Sequence, residues 1–251
     1  MSPTPARFAL ITGAAGGIGR ALVDEFRGAG YSVIATDYVA MPADLRCEHY
    51  LRADLAQTVT DAEYRNDFFG TVKAIIGSNG LHALVNNAAV QVLGGTDSLT
   101  VDDWQQTINV NLLAPFVWTQ ALLSHLEEVH GCVVNISSIH ASLTKPGFVA
   151  YATSKAALSG LTRSMAVDLG SRIRINAIEP AAIETEMLKA GFAGRPDLYS
   201  QLEKAHPSAR IGLPKEVATL ARIVADGSVG FLQGSCISLS GGIAARLHDP
   251  D

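Results

Sequence analysis

Short apolar runs alternating with helix-length segments predict an α/β protein: a doubly wound, mainly parallel, seven-stranded sheet with helices on both faces, folded as a single domain over residues 1–251. Three observations carry this prediction. The runs are short and continuously apolar, as strands buried on both faces are. Several of the segments between them repeat apolar residues at helical spacing. Glycines cluster where the first run gives way to the first helix, marking a tight strand-to-helix turn. With 251 residues, 48% of them hydrophobic, the chain can fill one large core, and no repeat, low-complexity stretch or change of composition marks a linker.

Residues 8–12, Phe-Ala-Leu-Ile-Thr, form the first expected strand. Ile18, Leu22, Val23 and Phe26 then recur at helical spacing in a segment running to residue 29, and the run 32–36 ends at Asp37 to complete a βαβ unit. The connection from Tyr38 to the next strand, 49–53, has only about a dozen residues, so it is expected to hold a minimal helix or none. The remaining strands are expected at 83–86, 132–137, 173–178 and 236–239, with prominent helices at 111–128, 151–169 and 215–225. Ligands in such sheets bind beyond the carboxyl ends of the strands, and the glycine- and proline-containing stretch at 186–213 is the expected mobile substrate loop.

The formal net charge is −5, without a basic run, which argues against a nucleic-acid or membrane-surface partner. No apolar stretch approaches the roughly eighteen residues of a membrane span, and residues 1–7 lack the pattern of a secretory leader, so a soluble, cytoplasmic protein is expected. Cys47, Cys132 and Cys236 are odd in number and have no metal-ligand spacing; they read as reduced, and no metal site is expected.

Thr12-Gly13-Ala14-Ala15-Gly16-Gly17-Ile18-Gly19 joins the first strand to the first helix, where backbone N–H groups and the helix dipole can receive a pyrophosphate. The spacing differs from G-x-G-x-x-G, and no Gly-Lys-Ser/Thr follows, so a P-loop is excluded. Asp37, about twenty residues on, can accept hydrogen bonds from an adenosine ribose and would repel a 2′-phosphate. NAD is therefore expected rather than NADP.

Tyr151 and Lys155 are four residues apart, one turn of the same helix face, with Ser138 at the end of an apolar run. A fixed ammonium beside the phenol would favour phenolate and draw the tyrosine pKa down from about 10 towards the range where a general base is useful. Ser138 can hold the same substrate oxygen, so the three side chains describe a device that takes or returns the proton of an alcohol.

These residues resemble the short-chain dehydrogenase/reductase family over essentially the whole chain. The resemblance is carried by 12–19, Asp54, Asn86-Asn87-Ala88-Ala89, Asn111, Ser138, Tyr151 with Lys155, and Pro180 followed by Ile183 and Thr185. It implies a Rossmann-like fold and an NAD-dependent enzyme that interconverts a secondary alcohol and a ketone. Tyr151 would be the acid/base, Lys155 would bind the nicotinamide ribose, Ser138 would position the substrate oxygen, and Asn111 would hold a relay water. Gly13, Gly17, Ile18, Gly19 and Asp37 would receive the dinucleotide, Asp54 and Leu55 the adenine, and Asn87 would lie against the cofactor. Pro180, Ile183 and Thr185 would meet the carboxamide end. Ala89 and Ala181 stand where the family usually has glycine. The helices at 111–128 and 151–169 would form a dimer interface within a homotetramer, or a homodimer.

His140 and Glu179 are the candidate substrate readers. A histidine two residues after Ser138 could bond a hydroxyl or a carboxylate, and a carboxylate beside Pro180, pointing into the cleft, would accept from a polyol and repel an anion. Together they favour a small polyol, cyclitol or sugar. A hydroxy acid held by His140, and a non-catalytic NAD-binding regulator, are the alternatives.

Overall fold

In the computed structural model, which describes residues 6–247, seven strands form one all-parallel sheet in the order β3-β2-β1-β4-β5-β6-β7. The strands are β1 (Arg7–Thr12), β2 (Tyr31–Asp37), β3 (His49–Arg52), β4 (Leu81–Asn86), β5 (Cys132–Ile136), β6 (Arg174–Pro180) and β7 (Cys236–Leu239). The order reverses between β1 and β4, so the cleft at their carboxyl ends is a topological switch point, where open α/β sheets bind ligands.

The sheet separates two apolar layers. On one face α3 (Ala62–Ile76), α5 (Ala114–Glu127) and α6 (Val149–Leu169) bury Phe68, Phe69, Trp118, Leu122 and Met165 against Leu10, Leu84 and Val133. On the other, α1 (Gly17–Gly28) and α9 (Pro214–Ala225) bury Val23, Phe26, Val217 and Val224 against Ile11, Val85 and Val134. Each central strand is therefore apolar at consecutive positions, which is why its sequence reads as a continuous run. Trp118 is fully buried and its indole N–H donates to Thr58 Oγ1 at 2.9 Å, so it is a core residue.

The connection between β2 and β3 contains no helix, as its length predicts. The helix expected at 111–128 begins ten residues earlier: α4 (Val101–Ile108), a π turn at Asn109–Leu113, and α5 follow without a break. A capping box between Thr100 and Asp103 starts α4, along which Val101, Trp104 and Ile108 recur at helical spacing. Pro115 has no N–H to give the Asn111 carbonyl four residues before it, and the wider turn accommodates that loss.

The expected substrate loop is partly helical. Between the short α2 (Leu55–Thr60) near β3 and α9, the chain also forms α7 (Glu186–Gly191) and α8 (Pro196–Ala205), and these two helices roof the cleft. Among the described residues no helix is long and apolar enough to cross a membrane.

Candidate active site

A cleft of about 1840 Å³ opens at the carboxyl ends of the strands. Its first wall is the glycine turn between β1 and α1. Gly13 has φ +67°, and a Cβ there would lie 2.8 Å from Ala88 Cα. A Cβ on Gly19 would sit 1.9 Å from the Gly13 carbonyl oxygen, an impossible contact, and one on Gly17 would lie 3.0 Å from Thr185 Cγ2. The turn is bolted to the end of β4: Asn87 Nδ2 donates to the Thr12 and Gly13 carbonyls at 2.9 and 3.1 Å. Thr12 Oγ1 accepts from the Asn87 and Ala88 N–H groups at 3.0 Å each.

Asp37 ends β2 at the same wall, accepting from Ala15 N at 2.9 Å and from Val39 N at 3.3 Å. Asp54 caps α2 through Gln57 N at 3.2 Å, and Leu55 is buried behind it. Gly13, Gly17, Ile18, Gly19, Asp37, Asp54, Leu55, Asn87, Pro180, Ile183 and Thr185 all line the cleft. The turn exposes backbone close to the cleft and leaves no room for side chains, and Asp37 supplies acceptors beside it. These features fit an adenine dinucleotide.

Across the cleft, β5 delivers Ser138 and α6 delivers Tyr151 and Lys155. Lys155 is buried, and its Nζ donates to the Ile136 carbonyl at 2.8 Å, 5.8 Å from the Tyr151 ring centroid. Burial pushes the lysine down to about 8. The expected depression of Tyr151 is not what its surroundings produce. Burial raises the phenol, with only the Ser138 hydroxyl easing it back, because the Lys155 ammonium is turned to a carbonyl and itself desolvated.

Asn111, almost wholly buried in the π turn, spends its amide on protein partners. Nδ2 donates to the Val90 carbonyl at 2.9 Å and to Ser154 Oγ at 3.0 Å, while Oδ1 accepts from Val90 N at 2.8 Å. Ser154 Oγ in turn donates to the Tyr151 carbonyl at 2.7 Å, so Asn111 braces the first turn of α6. Both amide hydrogens are thereby committed to protein partners.

His140 stacks on Phe148 at 4.4 Å and meets the Tyr151 ring edge-on at 5.7 Å, with Nδ1 3.1 Å from Thr144 Oγ1. Burial, aided by Lys145, lowers its pKa, so the ring is neutral near pH 7. Glu179 departs from the expectation. Its carboxylate accepts from Ser159 Oγ at 2.7 Å, under α6, and it is not among the residues lining the cleft. Alternation along β6 gives Pro180 to the cleft and turns Glu179 away from it.

A family profile described as short chain dehydrogenase matches residues 7–195. The chain belongs to the short-chain dehydrogenase family. Among solved structures, the aldohexose dehydrogenase of Thermoplasma acidophilum is 27% identical with a TM-score of 0.90, covering 98% of this chain and 97% of that one. A 4-hydroxyisoleucine dehydrogenase with NADH (28% identical) and ElxO with NADP (27%) each reach a TM-score of 0.85 over 96% of this chain and all of theirs. The dehydrogenase is thus an oxidoreductase of a nicotinamide dinucleotide.

The dehydrogenase cleft also contains residues the sequence did not mark. Phe148 could have been found, since it precedes Tyr151 by three residues, at the N-cap of α6. Lys145, Arg195, His206 and Arg246 carry no periodicity or spacing that links them, and only the fold brings them to the cleft.

Proposed function

We propose that this dehydrogenase uses NAD to interconvert a secondary alcohol and a ketone on a small polar substrate, with Tyr151 as the acid/base. The observation that carries the reading is the Tyr151 phenol facing the Ser138 hydroxyl in the cleft wall, with buried Lys155 one turn along the same helix. Ser138 holds the substrate oxygen and Tyr151 exchanges its proton. Lys155 binds the ribose and, through the Asn111 carbonyl and a water, resupplies that proton. The nicotinamide, when bound, supplies the hydride acceptor or donor. The positive charge of Lys155, once turned towards the phenol, would offset the burial that raises it.

NAD is preferred to NADP because Asp37 faces the adenosine end, and the nearby cations are engaged: Arg20 is paired with Asp44 at 2.5 Å, and Arg52, across the strand from Asp37, donates to the Tyr38 carbonyl at 2.8 Å. Polyols and sugars are the favoured substrates, with His140 as a neutral hydrogen-bonding group beside Tyr151. A hydroxy acid is the second reading, favoured by Lys145, Arg195 and Arg246 in the same cleft without carboxylate partners among the described residues. Apolar Leu113 and Phe116, partly exposed at the start of α5, support assembly through α5 and α6 into a homodimer or homotetramer.

The test follows NADH absorbance over a panel of polyols, sugars and hydroxy acids, with NAD and NADP in parallel. Turnover with NAD that disappears in Tyr151→Phe supports the reading. Tight NADH binding with no turnover on any alcohol would instead favour a non-catalytic regulator.

A further inference from the structure

His206, which caps the C-terminus of α8, is 3% exposed and lines the cleft. Its Nδ1 lies 2.8 Å from the Leu202 carbonyl, which can only accept, so Nδ1 carries the hydrogen and Nε2 is left as an acceptor. That Nε2 is buried with no hydrogen-bond partner among the described residues. An orphaned buried acceptor is costly and uncommon, and it asks for a donor from outside the chain.

Beside it stands Arg246, whose Nη1 donates to the Ala205 carbonyl at 3.3 Å and whose other donors reach no carboxylate among the described residues. Arg246 lines the same cleft. The carboxylates at this end of the cleft cannot serve it: Glu184 and Glu186 are both engaged by Lys189, at 3.2 and 3.5 Å. Asp37 and Asp54 belong to the glycine-turn end, and Glu179 has turned beneath α6. Lys145 and Arg195 add to the positive balance of this half.

One end group answers both residues at once. A carboxylate meets the guanidinium with charge-assisted hydrogen bonds, and a hydroxyl on a neighbouring carbon donates to Nε2. We propose that His206 and Arg246 form a subsite for the hydroxycarboxylate end of a polyhydroxy acid, whose reacting carbinol lies at Tyr151. The subsite deepens the reading of the cleft as an alcohol-oxidising site and rests on it. It also relocates the anion: His140, neutral and engaged with Thr144, is not the carboxylate partner.

The test uses the full chain saturated with NADH, titrated with D-gluconate and with its uncharged counterpart D-glucitol, and read by NADH fluorescence. Gluconate is expected to bind at least about tenfold more tightly. In Arg246→Gln that preference should fall close to one, whereas Arg172→Gln, an equal loss of charge outside the cleft, should retain it. In His206→Asn the amide can still donate to the Leu202 carbonyl, so the thermal midpoint should hold. Gluconate binding should weaken about tenfold, and with NAD the loss should appear in KM rather than kcat.

Equal binding of the two ligands, or a preference that survives Arg246→Gln, overturns the subsite. So does a His206→Asn protein that loses thermal stability and both ligands alike, which would make the imidazole a structural or water-holding group beside the small side cavity of about 150 Å³ that it also lines. Binding is read without turnover. A protein that binds gluconate through Arg246 but transfers no hydride would therefore count against the proposed reaction alone.

Discussion

At the glycine-turn half of the cleft, the walls come from residues 13–20, 37–39 and 53–56, nearly all at the ends of the first three strands and in the turns that follow them. At the other half they come from five separate stretches: 87–93, 106–110, 136–155, 180–206 and 243–246. The first half is made of backbone, with positions where a single added methyl would collide. The second is made of side chains on helices, several of them exposed. A nicotinamide dinucleotide is one molecule, which a fixed backbone shape can fit. Substrates differ across a family, and side chains on α7 and α8 can change without disturbing the sheet.

The sharpest way to separate the halves is to remove the proposed proton carrier. Tyr151→Phe should lower kcat by about 10³-fold or more while NADH binding stays within about twofold, measured by steady-state kinetics and fluorescence. Gly19→Ala should do the reverse. A Cβ 1.9 Å from the Gly13 carbonyl oxygen must displace the turn, so NADH affinity should fall by about 100-fold or more, beyond the loss of a single hydrogen bond. A Gly19→Ala protein that binds NADH normally would show that the turn is not the cofactor cradle.

Asp37→Ala tests the acceptor at the adenosine end. The ratio of kcat/KM for NAD over NADP should drop by about tenfold to a hundredfold. An unchanged ratio would assign cofactor choice elsewhere.

Lys155 gives a pH signature on stability. Its folded pKa of about 8 lies below the ordinary 10.5. Between those values the unfolded chain holds a proton that the folded chain has released, so stability rises with pH across that window. Measured against Lys155→Met, which cancels the contributions of other groups, the wild-type chain should gain up to about 3 kcal/mol from pH 8 to pH 10.5 in chemical denaturation. A flat difference would mean that the buried lysine stays protonated.

The smallest effects lie at the edges of the substrate half. Thr185 Oγ1 accepts from Leu188 N at 3.2 Å and caps α7, so Thr185→Ala should cost about 1 kcal/mol and Thr185→Ser should restore it, in thermal melts. Glu179→Gln should leave KM for polyols within about twofold, because the side chain faces Ser159 and only that hydrogen bond is at stake. A large rise in KM would return Glu179 to the substrate pocket.

Several of these features are legible in the amino-acid sequence. Gly13, Gly19 and Asp37 stand in fixed order around one strand–turn–helix–strand unit, and Tyr151 and Lys155 share one helix face, so short-range geometry assigns them together. The helix start at Val101 is legible there only as a short segment, Val101, Trp104 and Ile108 at helical spacing behind the Thr100–Asp103 capping box; its continuity with α5 is not, because Pro115 interrupts the helical pattern. Nor is the state of Tyr151, since the spacing puts an ammonium nearby but does not say that Lys155 points to the Ile136 carbonyl.

Local spacing along the chain is enough to specify the layered sheet, the glycine turn and the pairing of Tyr151 with Lys155 proposed for proton transfer, because each is written in period, turn chemistry, or positions one helical turn apart. Which way Glu179 faces, and the meeting of His206 and Arg246 at one end of the cleft, belong to the folded molecule alone. Those outcomes depend on the pleat of β6 and on segments forty residues apart in the chain, whose approach follows from how the helices pack on the sheet.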